Sequence, residues 1–439
     1  MTASTRDTVK SDFPWLGAIP SHWDVKALKF CAELVTERVD GSSVNAGTYV
    51  GLEHIESKTG RIVRAEGSQD SADSTVSCFH AGDVLFGKLR PYLAKAAVAE
   101  AAGVCSSEIL VYRPHGLTPE YMKYVMLLEG FIEEVNSSTY GSKMPRADAS
   151  FISRLPVPQP SIEEQIAVAS YLDAETKRID GLIAEKKKLI GALDEMKQVV
   201  TTEAITTGVG SDASHAPGDL LWFSTVPRTW RVKRLKFLLS GIEQGWSPQA
   251  ESRQADEGEW GVLKAGACNG GEFRADEQKA LPPGIAPDVS LEVREGDVLM
   301  SRGSGSADLV GSVALVGPVR RFLMLSDLLY RLTIHDSDEI NPRWLVLALG
   351  SSPLRRQIRL SLRGAEGLTR KVTTSDIKEL VLPVPPRVEQ DAIVEQVLAE
   401  WHRLAELRQH ATKEVDLLLE LRAATITDAV LGRIDVRPT

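Results

Sequence analysis

Cysteine is scarce in this chain of 439 residues: Cys31, Cys78, Cys105 and Cys268 are scattered, with no CxxC pair and no histidine nearby at ligand spacing. That excludes a disulfide-stapled fold, and the expectation is four reduced structural thiols and no metal site. An excess of positive charge is lacking as well. The net charge is −9, distributed as −3 over residues 1–160, −3 over 161–210, 0 over 211–386 and −3 over 387–439. A basic nucleic-acid-binding domain is therefore excluded, and any such contact must rest on local clusters. No apolar run reaches the roughly 18 residues that span a bilayer. The opening MTASTRDTVK has no apolar stretch of a signal peptide, so a cytoplasmic location is expected. Catalytic signatures are missing too: no GxGxxG after a strand, no GxxxxGK[ST], no HExxH and no GxSxG. The Gly-rich SRGSGSADLVGS (residues 301–312) lacks the lysine of a nucleotide loop and reads as a flexible surface loop. No catalytic residue is singled out.

What the chain does have is the same text written twice. PSHWDVKALKF (20–30) recurs as PRTWRVKRLKF (227–237), GDVL (82–85) recurs at 296–299, and LPVP (155–158) recurs at 382–385. An EQ pair follows each LPVP, Glu164–Gln165 and then Glu389–Gln390. The separations are 207, 214, 227 and 225 residues, so the order is kept while loop lengths drift. A period this long is a duplicated module of half the chain, not a solenoid repeat.

Each module reads as an α+β domain followed by one long helix. GTYVGLEHI (47–55), DVLFGKL (83–89) and EILVYRP (108–114) are strand-like, and TPEYMKYVMLLEGFIEEV (118–135) is helical. WGVLKAG, GDVLMSR, GSVALVG and LYRLTI repeat the strands, and NPRWLVLALGSSPLRRQI repeats the helix. LPVP is expected to stop the chain, since proline removes a donor. The boundaries are a first domain at 1–160, a first long helix at 161–210, a second domain at 211–386, and a second long helix and tail at 387–439.

Both long segments carry apolar residues at seven-residue spacing, the pattern of a coiled coil. The expected core of the first is Leu172, Ile179 and Leu193, with Leu182, Leu189 and Met196 in the companion row. In the second it is Val397, Leu404 and Leu418, with Leu407 and Leu421. Each helix would be on the order of 65–70 Å long at ~1.5 Å per residue. Connectivity then calls for an antiparallel pair with a globular domain at either end and approximate two-fold symmetry.

Polar, basic loops stand at matching places in both modules. Lys88, Arg90 and Tyr92 follow the first GDVL, and Arg302 and Ser304 follow the second. Tyr140, Ser142, Lys143 and Arg146 precede the first LPVP, and Arg363, Thr369, Arg370 and Lys371 precede the second. Such side chains on Gly-flexed loops are what base edges and phosphates require.

These residues resemble a known family. WLGAIPSHWDVKALKF, GDVLFGKLRPYLAK, CSSEILVYRP, YGSKMPR, LPVPQPSIEEQIAVASYLDAETKRIDGLIAEKK and the closing AVLGRIDVRP together are similar to the DNA-specificity subunit of Type I restriction–modification systems. The resemblance implies a non-catalytic subunit that binds double-stranded DNA, with two target-recognition domains that each read half of an asymmetric bipartite site. It implies that the antiparallel coiled coil sets the spacer and that two methyltransferase subunits dock on the scaffold. Restriction/translocase subunits would complete the complex. No cofactor is expected on this chain; S-adenosylmethionine belongs to the methyltransferase partner, and ATP and Mg to the restriction partner. The other reading of the residues is a coiled-coil interaction scaffold with two end domains and no DNA binding. An adjacent methyltransferase gene discriminates between the two.

Overall fold

The computed structural model describes residues 7–40, 49–63, 75–141, 143–208, 215–220, 222–363 and 370–436. The repeated motifs turn out to be strand partners. Asp24–Ala27, from the first PSHWDVKALKF, pairs antiparallel with Pro156–Gln159, from the first LPVP. Arg231–Arg234 pairs in the same way with Val381–Val384. LPVP is thus an edge strand, not the breaker expected from its prolines. A two-stranded ribbon leaves one side of each strand unpaired, and there a missing N–H costs nothing.

The chain forms two compact units, and both long helices are divided between them: residues 1–187 with 412–439, and residues 188–411. The divisions fall inside the helices Ile162–Thr207 and Arg387–Val430, and not at their ends.

In the first unit a four-stranded antiparallel sheet runs in the order Ala32–Val35, Ile109–Pro114, Val84–Gly87, Ala96–Val98. A second sheet runs Arg38–Asp40, Thr75–Phe79, Gly103–Cys105, Tyr49–Val50, its last pair parallel. The strand expected over 47–55 is only Tyr49–Val50 among the described residues. The chain then turns through Leu52–His54, where the Gly51 N–H donates to His54 Nδ1. GDVL makes a tight entry into its strand. Gly82 has φ +87°, Asp83 accepts from the His80 N–H at 2.8 Å, and Arg113 on the neighbouring strand clamps that carboxylate at 2.9 Å. The core packs Leu28, Tyr112, Tyr121, Phe131 and Leu172 against Ile426, Ala429 and Val430, the last turns of the second long helix. The Tyr121 hydroxyl donates to the Val430 carbonyl at 3.0 Å.

The second unit repeats the plan. Its sheet runs Leu239–Gln244, Leu329–Ile334, Val298–Ser301, Val313–Leu315. Gly296 has φ +92°, and Asp297 accepts from the Arg294 N–H at 2.9 Å and faces Arg331 at 3.4 Å. The core joins Leu235, Trp344, Leu382 and Val397 to Ala204 and Ile205, at the end of the first long helix.

The single helix expected before each LPVP is two: Pro119–Leu127 and Glu129–Ser137 in the first unit, Pro342–Gly350 and Ser352–Leu360 in the second. Leu128 (ψ 135°) and Ser351 (ψ 153°) break them. Pro353 enforces the second break, since without an N–H for the Leu349 carbonyl it fits only the first turn of a new helix, while Leu128 makes the first and lies buried in the core. Residues 301–312 are not a loose loop either. Gly303–Ser304 form a strand, and Gly311 has φ +74° where a Cβ would lie 2.7 Å from Ile358 Cγ2.

One of the EQ residues fastens each long helix to its own domain. Gln165 is fully buried; its Oε1 accepts from the Thr118 N–H at 2.7 Å, and its Nε2 donates to the Pro160 carbonyl at 3.0 Å. Gln390 does the same with the Asn341 N–H (2.8 Å) and the Pro385 carbonyl (2.9 Å). Thr118 and Asn341 are themselves the N-caps of matching helices, so one amide side chain completes each cap from outside.

Within each unit the helix segments pair antiparallel. In the first, Arg422 meets Asp180 at 2.8 Å and Lys186 meets Glu414 at 2.6 Å. In the second, Arg408 meets Asp194 at 3.0 Å, and the Trp401 indole N–H donates to Thr201 at 3.0 Å. Leu172, Ile179 and Val397 are fully buried, as the heptad predicts, and Leu193, Leu404 and Leu418 are half-buried. The companion row is different from the one expected. Leu189, Met196, Leu407 and Leu421 are 45–48% exposed, and Leu182 is half-buried. The seam instead takes residues four positions on, Thr176 and Ile183 in the first helix and Val415 and Arg422 in the second, while Ala411 of the first row is buried as well. Its polar members Thr176 and Arg422 hid it from a count of apolar residues.

Candidate nucleic-acid interface

The loops singled out by the sequence meet in each unit, through matching backbone bonds. In the first, the Lys88 N–H donates to the Glu108 carbonyl at 3.0 Å, the Ala147 N–H donates to the Lys88 carbonyl at 2.9 Å, and the Arg90 N–H donates to the Pro145 carbonyl at 2.8 Å. Tyr140 and Arg146 close a small ladder with two 3.1 Å bonds. In the second unit the Arg302 N–H donates to the Leu328 carbonyl at 2.8 Å and the Val372 N–H donates to the Arg302 carbonyl at 3.0 Å. Arg363 and Lys371 bridge by two 3.1 Å bonds, and Ser304 pairs with Arg370. Residues 88 and 302 are 214 apart, the GDVL offset, and 146 and 371 are 225 apart, the offset of the EQ pairs.

The charges on this face fall into two kinds. Arg146 is committed to Glu108 at 3.0 Å, which raises its pKa through hydrogen bonding, and Arg363 reaches Asp376 at 3.4 Å. Arg302 lies over Tyr330, donates to its hydroxyl at 3.0 Å, and donates to the Asp327 carbonyl at 3.2 Å. By contrast Lys88, Arg90, Lys143, Arg370 and Lys371 have no ion-pair partner among the described residues. Arg90 is exposed and held at φ +51°. A chain of net −9 therefore keeps unneutralised cations where its matched loops converge, and local field, not net charge, governs what docks there.

Tyr92 stands apart from this cluster. It lines a hollow with Lys58, Leu127, Ile132 and Arg422, on the side of the second long helix. Ser142 and Thr369 lie outside the described residues. The sequence reading passed over Arg38, on the strand Arg38–Asp40, whose Cα pairs with Ser77 beside Lys88. It also passed over Trp246, which is 44% exposed after the matching strand of the second unit. Arg38 sits between Glu37 and Asp40 in sequence, which cancels any local charge signal; only pairing in the sheet isolates it.

Among the described residues no group of three or more His, Cys, Asp or Glu stands together as a metal site, and no helix is long and apolar enough to cross a membrane. All four cysteines are free thiols; Cys31, Cys105 and Cys268 are buried, and burial pushes the Cys105 and Cys268 thiols up to about 12.

No protein-family model matches the sequence. Known proteins do. The chain is 22% identical over 417 residues to the Type I restriction enzyme MjaVIII specificity subunit of Methanocaldococcus jannaschii, covering 91% of this chain and 90% of that one. It is 27% identical over 208 residues to the EcoEI specificity subunit of Escherichia coli, 47% of this chain but 34% of the relative. Against the E. coli EcoDI subunit the match covers 41% of the relative, so the chain spans well under half the length of these two. The fold is that of solved structures: a chain of a type I R-M system assembly superposes with a TM-score of 0.70 at 21% identity over 94% of this chain and 98% of that one. The HsdS subunit from Thermoanaerobacter tengcongensis gives 0.51, over 95% and 98%. In sequence and in fold the chain is similar to Type I restriction-enzyme specificity subunits.

Set on the specificity-subunit fold, the duplicated motifs have structural tasks and the loops between them carry the difference. GDVL turns the chain into the central sheet, LPVP pairs with the opening strand, and the EQ glutamine seats each long helix. The loops that meet beside them share backbone bonds but not side chains: Lys88 faces a different set of neighbours from Arg302, and Tyr140 occupies the place of Arg363.

Proposed function

We propose that this chain is the DNA-specificity subunit of a Type I restriction–modification complex and is not itself an enzyme. Each unit reads one half of an asymmetric, bipartite duplex target, and the long helices set the spacer between the halves. The observation that carries this reading is the pair of equivalent loop junctions, at Lys88–Ala147 and Arg302–Val372, each bearing unneutralised cations and different side chains. Unpaired Lys and Arg supply phosphate attraction, and the differing loops supply separate base readout.

Exposed apolar residues on the long helices, Leu189, Met196, Leu407 and Leu419 among them, fit surfaces covered by partner subunits. We assign these to two methyltransferase subunits, which would bring S-adenosylmethionine, with restriction/translocase subunits bringing ATP and Mg. The complex would work in the cytoplasm, where its DNA is.

The test is to express the chain with its methyltransferase partner and map methylated adenines across the host genome. A split motif with a fixed spacer is the expected result. An unsplit palindrome, or no motif, would overturn the reading in favour of a scaffold without DNA binding.

A further inference from the structure

The first unit holds a groove of about 340 Å³ beside the matched loops, and its composition selects among the things DNA offers. Its floor is apolar, with Ile109 and Val111 buried on the central sheet. Two cations line it, Arg38 and Lys88, and Tyr140, 64% exposed, lines it as well. Neither cation has an ion-pair partner among the described residues, although Lys88 is half-buried.

The one carboxylate in the lining among the described residues, Asp148, does not compensate them. It is the N-cap of Ala149–Ile152, accepting from the Ser150 N–H at 2.7 Å and the Phe151 N–H at 3.3 Å, and these bonds hold its pKa below the usual carboxylate range. The groove therefore presents two cationic donors over an apolar floor, with the hydroxyls of Thr36, Ser77 and Ser107 free to donate or accept, and its one carboxylate among the described residues is already engaged.

Lys88 packs its stem into the groove and keeps an ammonium with no ion-pair partner among the described residues, open to whatever ligand enters. A phosphate would answer the charge but would lie desolvated against Ile109 and Val111. A base edge satisfies both features. Lys and Arg donate and cannot accept, so the matching edge carries two acceptors and no donor. In the major groove that is guanine, with O6 and N7; adenine places a donor beside its N7.

The second unit lacks this arrangement. Arg302, in the place of Lys88, is turned onto Tyr330 and the Asp327 carbonyl. The segment after the matching strand is Gly245–Trp246. A Cβ on Gly245 would lie 2.1 Å from the Leu325 carbonyl oxygen, so no side chain fits there, and Trp246 points an apolar ring outward.

We infer that the Arg38–Lys88 groove of the first unit reads a guanine in the half-site of that unit, and that the second unit reads its half by a different chemistry. This inference rests on the DNA-reading function proposed above and names what one of its sites takes.

The experiment uses the full chain assembled with its methyltransferase subunits to select duplexes from a pool randomised across the whole target. Wild type is expected to yield a split motif with an invariant G in one half. Arg38→Ala, at an exposed strand position, should lower the preference for G at that one position by about 5- to 150-fold, leaving the other positions and the thermal transition unchanged. Lys88→Ala should relax the same position, and Trp246→Ala only the other half. Uniform weakening of binding by Arg38→Ala, with every base preference kept, would make Arg38 a phosphate contact and overturn the inference. So would an unchanged motif. Failure of wild type to select any split motif would instead sink the DNA-reading function itself.

Discussion

The Arg422 guanidinium lies 2.8 Å from the Asp180 carboxylate, 94% shielded from solvent, and donates at 2.7 Å to the Lys58 carbonyl. One side chain thus joins both helix segments of the first unit to a turn of its globular part. Arg61 adds a second guanidinium to Asp180. Arg422→Ala would leave Asp180 with only its more exposed partner and the Lys58 carbonyl without a donor. A loss of about 3 kcal/mol is expected in chemical denaturation. The double variant with Asp180→Ala should recover part of it, because no half-buried carboxylate is then left with the more exposed of its two partners alone.

Gln165 and Gln390 occupy equivalent buried sites and should behave alike. Gln165→Leu or Gln390→Leu keeps the volume but strands a helix-cap N–H and a backbone carbonyl. Each should cost about 2–4 kcal/mol. Gln165→Glu is a sharper probe: a carboxylate still accepts from the Thr118 N–H but cannot donate to Pro160, so it should fail to rescue. Stability equal to wild type in either Leu variant would show that these amides are not fastening the helices.

Acid titration offers a local check on the second unit. Glu259 is bound by Arg253 at 2.7 Å and accepts the Asp256 N–H, and the guanidinium holds its pKa down to about 2. A depressed folded-state pKa contributes stability above the unfolded value, near 4.5, and loses it as pH falls from there toward about 2. NMR titration should place Glu259 near 2 in wild type and near the ordinary value in Arg253→Ala. The stability difference between the two proteins should be largest above pH 5 and shrink as the pH drops. A difference that grows with acid would contradict the assignment.

Lys143 and Arg370 stand on corresponding loops of different units. In the assembled complex, Lys143→Ala and Arg370→Ala should each weaken binding through one half-site only. Where the contact is to phosphate, the salt dependence of log K should flatten by about one unit of slope per lost contact. Loss of methyltransferase assembly in either variant would show that these loops face protein and not DNA.

How much of this was legible beforehand varies with the range of the interaction. The long helices and the burial of Leu172, Ile179 and Val397 follow from a seven-residue rhythm that any short window contains. The seam's second row did not, because Thr176 and Arg422 occupy it for reasons that lie across the interface: a hydroxyl beside Tyr124, and a guanidinium reaching Asp180 and Lys58. Periodicity rewards leucine wherever it recurs, so it chose Leu189, Met196, Leu407 and Leu421, which face outward. The prolines of LPVP likewise announced a stop, when in an edge strand they sacrifice only donors that nothing was waiting to receive.

The sequence by itself determined that the protein is two versions of one module and that each ends in a long helix. It also marked basic loops beside the repeated motifs, since repeats, heptads and local charge are properties of neighbouring residues. Only the tertiary structure decided that LPVP pairs with the opening strand, that Gln165 and Gln390 finish distant helix caps, and that each core is completed by the end of the other module's helix. It alone separated Arg146 and Arg302, spent on internal partners, from Arg38 and Lys88, which have no ion-pair partner among the described residues. Those distinctions depend on which groups come within hydrogen-bond distance across tens to hundreds of residues of chain, and no local pattern encodes that distance.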